Sequence, residues 1–311
     1  MEQGSWDKRK KDAENASIPG MVCAAGGGMI VSVQEKQLHH CEKEKRRRSM
    51  NILVCIKQVP DSNKVEVDPV TGVLKRNGVE SKMNPYDLYA IETALRIREE
   101  LGGKICVLTM GPGQAASVIR EAFAMGADEG VLISDRRFGG ADVLATSYTI
   151  SQGIKLLGEF DLILCGKQTT DGDTAQVGPE VSEYLNIPSV SNVSKIVEIG
   201  AGAITVEMDM THDVEIAKIQ YPCLLSVDKD IFMPRLPSYL KKEMTKDREI
   251  KVISLDQLED QDEKHYGLNG SPTQVQRIFP PAVNSHREQW TGNQAEITDR
   301  LHKKLRELKF V

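Results

Sequence analysis

Ile52-Leu53-Val54-Cys55-Ile56, reached directly after Met50-Asn51, is an uninterrupted apolar run of strand length. A strand without polar alternation is buried on both faces, the condition of a strand inside a parallel sheet, and this one reads as the central first strand. Asn84-Pro85 then supplies an N-cap and an N1 proline for a helix with Leu88, Ile91 and Leu95 on its apolar face, ending at Gly102-Gly103. Strand and helix alternate from there: strand over residues 105–110, helix over 115–125, strand over 131–134, helix over 142–157, and a second buried strand at Leu162-Ile163-Leu164-Cys165. Such alternation predicts an α/β fold on a doubly wound, mainly parallel sheet that binds ligands at the carboxyl ends of its strands. Two stretches break the rhythm. Residues 65–73 alternate around Pro69 and Gly72 as a small hairpin excursion, and residues 203–210 and 214–219 read as an antiparallel hairpin.

The 311 residues are 40% hydrophobic and carry a formal charge of −5, enough apolar material for a sizeable core and no reason to expect a nucleic acid as the main ligand. Cysteines at 23, 41, 55, 106, 165 and 223 form no CxxC pair, which speaks for a reducing cytoplasm and against zinc. The weakly polar residues 18–33 contain Pro19 and Gly26-Gly27-Gly28 and fall short of the ~20 apolar residues of a membrane span. Within residues 1–49, ten basic and seven acidic side chains without apolar periodicity read as a solvated tail or as an addition upstream of a start at Met50. A signal peptide is the alternative there, weakened by the three glycines and Pro19.

Two strand-to-helix loops could carry a ligand. Thr109-Met110-Gly111-Pro112-Gly113-Gln114 can aim backbone N–H groups at an anion, although its spacing is neither a Walker loop nor GxGxxG and a tight packing turn accounts for it equally. Gly166-Lys167-Gln168-Thr169-Thr170-Asp171-Gly172-Asp173-Thr174-Ala175-Gln176-Val177-Gly178-Pro179 concentrates hydroxyl, amide and small residues. Thr169, Thr170, Thr174 and Gln176 offer donors while Gly172 and Gly178 allow close backbone approach, a way to cradle a pyrophosphate without a fixed cation; Lys167 could add charge. A calcium loop is disfavoured because no acidic ligand follows at the twelfth position, and a solvated loop is the plain alternative. The histidines at 39, 40, 212, 265, 286 and 302 avoid the strand ends, and no nucleophile constellation is present, so any redox chemistry must belong to a cofactor.

Asn51-Ile52-Leu53-Val54-Cys55-Ile56-Lys57-Gln58-Val59-Pro60, Met83-Asn84-Pro85-Tyr86-Asp87 and the loop at 166–179 together resemble the beta subunit of electron transfer flavoprotein, over residues 50 to about 281. The resemblance implies an adenine-nucleotide-binding domain paired with an alpha subunit that holds its own FAD. One branch of that family binds AMP structurally in the beta subunit; the other binds a second FAD there, takes hydride from NADH and bifurcates electrons. Asp171-Gly172-Asp173-Thr174-Ala175-Gln176-Val177-Gly178-Pro179 is similar to the second branch. The resemblance then implies that Cys55 and Met110 line the adenosine end, that Asn84, Pro85, Tyr86 and Asp87 complete it, and that residues 166–177 wrap the phosphates. It places NADH near Gly111, Pro112, Gly113 and Gln114. The electron outlets it implies are ferredoxin or flavodoxin and, through the alpha-subunit FAD, a partner dehydrogenase.

Pro234-Arg235-Leu236-Pro237-Ser238-Tyr239-Leu240 matches the position of the family's partner-recognition segment, expected within residues 231–245 of a nucleotide-binding domain spanning 50–245. Its wording is similar to members serving an FAD-linked lactate dehydrogenase, ahead of an acyl-CoA dehydrogenase. Exposed Leu236, Tyr239 and Leu240 beside cations suit docking, the alternative being a Pro-stiffened surface loop. Residues 246–311 are expected as a carboxyl-terminal arm: residues 267–281 are rich in breakers, and Ile297, Leu301, Leu305 and Leu308 share one helical face that would pack on the alpha subunit. A nucleotide-binding sensor of the universal-stress type, with a comparable sheet and no redox role, is the reading from another class, and a pure scaffold is a third.

Overall fold

The computed structural model describes residues 49–61, 81–276 and 287–311. The tail at 1–48, the hairpin expected at 65–73 and the Phe279-Pro280-Pro281 end of the breaker-rich stretch lie outside the described residues.

The opening apolar run is strand β1 (Met50–Cys55), paired in parallel with β4 (Gly103–Met110) on one side and β6 (Leu162–Gly166) on the other. Its register sets Val54 beside Val107 and Leu164, so every side chain of the run meets apolar neighbours. The nine-stranded sheet has the order β11-β5-β4-β1-β6-β10-β7-β8-β9, with β5 at Glu129–Ile133, β7 at Ser189–Ile199, β8 at Ala203–Asp209, β9 at Val214–Gln220, β10 at Cys223–Val227 and β11 at Lys251–Ile253. From β11 to β7 all pairings are parallel; β7, β8 and β9 are antiparallel, and β8 with β9 is the expected hairpin. Short β2 (Gln58–Pro60) and β3 (Ser81–Met83) pair antiparallel as a separate ribbon.

Helices cover both faces. On one, α1 (Pro85–Leu101) and α2 (Ala116–Met125) pack Ile91, Leu95, Ile119 and Phe123 against Ile52, Val54, Ile105 and Val107. On the other, α3 (Val143–Leu157) and α4 (Val177–Leu185) cover Leu53, Leu108 and Ile163 with Ile150, Ile154 and Val181. The alternation in the sequence thus becomes a three-layer sandwich. Each expected helix stops where its punctuation falls: α1 at Gly102, with φ +79°, and α3 begins at Asp142, whose carboxylate accepts the Ala145 N–H at 3.1 Å.

Strands β7 and β10 and helix α4 are additions to the sequence reading. Cys223–Val227 is only five residues long and follows the hairpin without a helix between, so the alternation rule does not reach it. The stretch after residue 250 is also more than an arm: β11 joins the sheet edge beside β5, and Leu255, Leu258 and Tyr266 enter the core under α3. Tyr266 is fully buried, its ring centroid 5.5 Å from Phe138 and from Tyr148, with its hydroxyl donating to the Asp260 carbonyl at 2.6 Å. Helix α6 (Gln294–Glu307) forms as expected, with a capping box at Asn293 and Glu296 and no buried residue. Removing the Tyr266 ring by Tyr266→Ala leaves a cavity under α3 and should lower the free energy of unfolding by about 3–5 kcal/mol, read as a fall in the urea midpoint.

Candidate nucleotide-binding site

From β1 the chain first builds the sheet outward through β4 and β5, then returns to lay β6 on the other side of β1. The carboxyl ends of β1 and β6 therefore diverge into a crevice, the topological switch point at which open α/β sheets bind ligands. A cavity of about 410 Å³ occupies that crevice, within the usual range for ligand pockets. Its walls come from Cys55, Ile56 and Lys57 at the end of β1, Met110 at the end of β4, Asp87 at the start of α1, and much of the loop from Cys165 to Gly178.

The structure brings together most of the residues singled out in the sequence. Cys55, Asp87, Met110, Gly166, Lys167, Gln168, Thr169, Gly172, Thr174, Ala175, Gln176 and Val177 line the cavity. Asn84 works behind it: its Nδ2 donates to the Gln168 carbonyl at 2.9 Å and its Oδ1 accepts the Thr170 N–H at 3.2 Å, tying the loop to the start of α1. Asp171 accepts from the Lys57 ammonium at 2.8 Å; burial would raise its carboxyl, but Lys57 holds it below the ordinary value. Asp173, with φ +53°, accepts from Gln168 and turns the loop. Gly111, Pro112, Gly113 and Gln114 stand outside the lining: the Gly111 N–H donates to Ile133 at 3.0 Å, the Ala115 N–H to Pro112 at 2.8 Å, and the Gln58 side chain reaches Ser117 Oγ at 3.1 Å.

Both lysines of the cavity wall are already neutralised. Lys57 is paired with Asp171, and Lys167 with Asp228 at 2.8 Å. What remains for an anion is backbone N–H, hydroxyls and the amino end of α4, where Gln176 provides no side-chain cap. This donor set fits the phosphates of a nucleotide, and apolar Cys55, Ile56, Met110 and Ile150 fit a flat ring. Burial pushes the Cys55 thiol well above its ordinary value and Cys165 up to about 12, so both stay neutral wall atoms. Among the described residues no group of three or more His, Cys, Asp or Glu could hold a metal ion.

One wall escaped the sequence reading. Phe138, Gly140, Ala141, Asp142, Val143 and Thr146 close the side opposite the Thr-rich loop. They are held from the far end of the chain: the Leu268 N–H donates to Gly139 at 3.0 Å, Ser271 Oγ accepts the Asp142 N–H at 2.8 Å, and Thr273 donates to the Asp142 carboxylate at 2.7 Å through Oγ1. The Asp142 N-cap was the only local signal for it.

Similarity to known proteins agrees with this architecture. The electron transfer flavoprotein domain matches residues 71–258. This chain belongs to the electron transfer flavoprotein family, as a beta subunit. It is 46% identical over 263 residues to an electron transfer flavoprotein subunit beta of Thermoanaerobacterium thermosaccharolyticum, covering 82% of this chain and 98% of the relative. It is 44% identical over 262 residues to the caffeyl-CoA reductase-Etf complex subunit CarD of Acetobacterium woodii, covering 83% and 98%. A third relative, protein FixA of Azorhizobium caulinodans, is 39% identical over 244 residues, 76% of this chain and 87% of the relative. The electron transfer flavoprotein family is flavin-associated, its beta subunits pair with an alpha subunit, and the role is electron transfer. Among the described residues no helix is long and apolar enough to cross a membrane.

Of the two glycines expected to allow close backbone approach, Gly172 and Gly178, only Gly178 is sterically committed. A Cβ there would stand 2.3 Å from Ser226 Oγ and 2.7 Å from Cys165 Sγ, so the close approach is of α4 to the sheet; at Gly172 it would meet only Thr169 Oγ1 at 3.5 Å. Gly178→Val should lift the amino end of α4 at an overpacking cost of about 1–3 kcal/mol. Nucleotide affinity of the heterodimer, measured by equilibrium dialysis, should fall at least about tenfold, while Gly172→Ala binds as the parent does.

Proposed function

We propose that the cavity holds a second FAD, with its ADP portion in the crevice between β1 and β6, and that the chain works in the cytoplasm as the NADH-accepting, electron-bifurcating subunit of its heterodimer. The observation that carries this reading is the lining itself: a pyrophosphate can be met by backbone N–H groups and by Thr169, Thr174 and Gln176 while both lysines remain paired. The bound flavin would supply hydride acceptance from NADH and the division of the two electrons. The protein would bind and orient it, keep water from the apolar wall, and leave the edge at Gly111, Pro112, Gly113 and Gln114 for the phosphates of NADH. One electron would leave to ferredoxin or flavodoxin, the other through the alpha-subunit FAD to a dehydrogenase, in anaerobic energy metabolism.

Two surfaces support the partner side of the reading. Helix α6 and the residues after it expose Leu301, Leu308, Phe310 and Val311, a face for the alpha subunit. Residues 233–244 expose Met233, Leu236, Tyr239, Leu240 and Met244, with Leu236 at 87% and Tyr239 at 78%. They are presented on a fixed base. Arg235 is turned inward, its Nε donating to buried Glu92 at 2.8 Å and Nη1 to Glu99 at 2.7 Å, while the Ser238 N–H donates to Ala124 at 2.9 Å. Pro234 and Pro237 stiffen the approach to helix α5 (Tyr239–Thr245), which Ser238 caps. Preorganisation of this kind lowers the cost of docking an acceptor flavoenzyme. An FAD-linked lactate dehydrogenase is the proposed acceptor, and an acyl-CoA dehydrogenase the second, the latter supported by the caffeyl-CoA reductase complex named in one relative.

Cofactor content decides between the two branches. Acid release and chromatography of the purified heterodimer should give two FAD and no AMP; one FAD with one AMP would make the site the structural AMP type. Putting charge into the docking face with Tyr239→Asp and Leu240→Asp together should weaken acceptor binding at least about tenfold, since burying unpaired carboxylates costs several kcal/mol, with NADH reduction of the beta-site flavin unchanged in stopped-flow absorbance.

A further inference from the structure

Three sulfur-bearing side chains from three neighbouring strands line one cavity. Cys55 ends β1, Cys165 lies in β6 and Met110 ends β4. Cys55 and Cys165 are direct partners in the parallel register of β1 with β6, so their side chains leave the same face of the sheet. Cys165 belongs to the apolar layer under α3 and α4, and Cys55 and Met110 pack against that layer. Burial, and after it the neighbouring Cys165, raises the Cys55 thiol well above its ordinary value, and burial lifts Cys165 to about 12, so both are protonated near neutrality.

Adjacent strands are about 4.8 Å apart. Two sulfur–metal bonds of about 2.3 Å, set end to end across one ion, span nearly that distance. The wall adds no free oxygen or nitrogen ligand to such an ion. Asp87 already accepts the Lys57 N–H at 2.7 Å, Asn84 Nδ2 at 3.0 Å and the Gly166 N–H, while Asp142 accepts the Ala145 N–H at 3.1 Å and both Thr273 donors. Among the described residues no histidine lines the cavity. Zinc, which takes four ligands, and calcium or magnesium, which take oxygen, are therefore not served. Two thiolates and a thioether suit a soft monovalent cation of low coordination number.

We propose that Cys55 and Cys165, joined by Met110, form a copper(I) site in the cavity wall: the two sulfurs of the strand pair hold the ion between them and the thioether supplies a third ligand. On binding, two S–H bonds break and two S–Cu bonds form. The two protons pass to solvent and copper stays monovalent, so no electron is transferred. The site stands on the placement of the sulfurs alone; its consequence rests on the nucleotide reading of the cavity. An ion on Cys55 and Met110 takes the apolar wall that this reading gives to a flat ring, so copper(I) and the nucleotide exclude one another.

Copper(I) itself is the probe, offered anaerobically in competition with the chelator bathocuproine disulfonate to heterodimer whose beta site has been emptied. Cys23 and Cys41, which lie outside the described residues, are replaced by serine in every sample. The parent should hold one copper that Cys55→Ser and Cys165→Ser each weaken at least about a hundredfold, and Met110→Leu about tenfold, a directly bonded sulfur costing no less than an outer-shell partner. Because a buried serine can disturb the fold, the parent is also read directly by peptide mass mapping. Copper(I) should slow N-ethylmaleimide labelling of Cys55 and Cys165 and leave that of Cys106 and Cys223 unchanged. Absence of a copper site in the parent, equal affinity in the parent and both serine variants, or slowed labelling at Cys106 or Cys223 alone would overturn the site. Saturating FAD should lower the apparent copper affinity. If copper binds through Cys55 and Cys165 while neither FAD nor AMP changes its affinity, the nucleotide reading falls and the copper site stands.

Discussion

The burial of the Asp87 carboxylate at the end of β1 is the constraint on which the site depends. It takes the backbone N–H of Lys57 from the first strand and of Gly166 from β6, and through Asn84 it reaches the loop that follows, since Asn84 bonds Asp87, Gln168 and Thr170 together. Three segments that are far apart in the chain are thereby fixed around one desolvated group. A carboxylate is expensive to remove from water, and the expense is offset here only because every donor comes from rigid backbone or from a buried amide. The crevice between β1 and β6 then opens at a defined width, with the Thr-rich loop on one side and the start of α3 on the other.

Charge neutralisation gives the cavity its character. Among the described residues, Lys57 and Lys167 are the cations that line the crevice, yet each spans from its strand to an aspartate, Asp171 or Asp228, and so fastens the loop. A site of this construction recognises phosphate by geometry, through N–H groups aimed from a helix start and a loop, more than by net charge. Geometry of this kind tolerates a ligand whose charge changes, because among the described residues no unpaired lysine or arginine lines the cavity.

How far the sequence reached can be traced to particular residues. Unbroken apolar runs such as Ile52 to Ile56 and Leu162 to Cys165 read directly as parallel strands, and Asn84-Pro85 marks the start of α1, because these signals are local. The loop at 166–178 stands out in the sequence because its composition is unusual, and its residues line the cavity. The wall around Phe138 and Asp142 was missed because what makes it a wall is contact with Leu268, Ser271 and Thr273, about 130 residues on, and no local pattern encodes that. Tyr266 shows the same limit: it precedes Gly267 in a stretch full of breakers, yet it is among the most deeply buried side chains of the fold. Arg235 holds the base of the expected docking segment through a buried Glu92 that nothing in the helical pattern of α1 distinguishes.

A nucleotide bound at the switch point of the sheet is felt in both walls of the crevice. Amide hydrogen exchange of the heterodimer with the beta site emptied and then filled measures this directly. Protection should appear in residues 166–178 and in residues 138–146, the two walls of the β1/β6 crevice, with residues 233–244 unchanged. Protection confined to other surfaces, or absent from both walls, would contradict a nucleotide site at the switch point of the sheet.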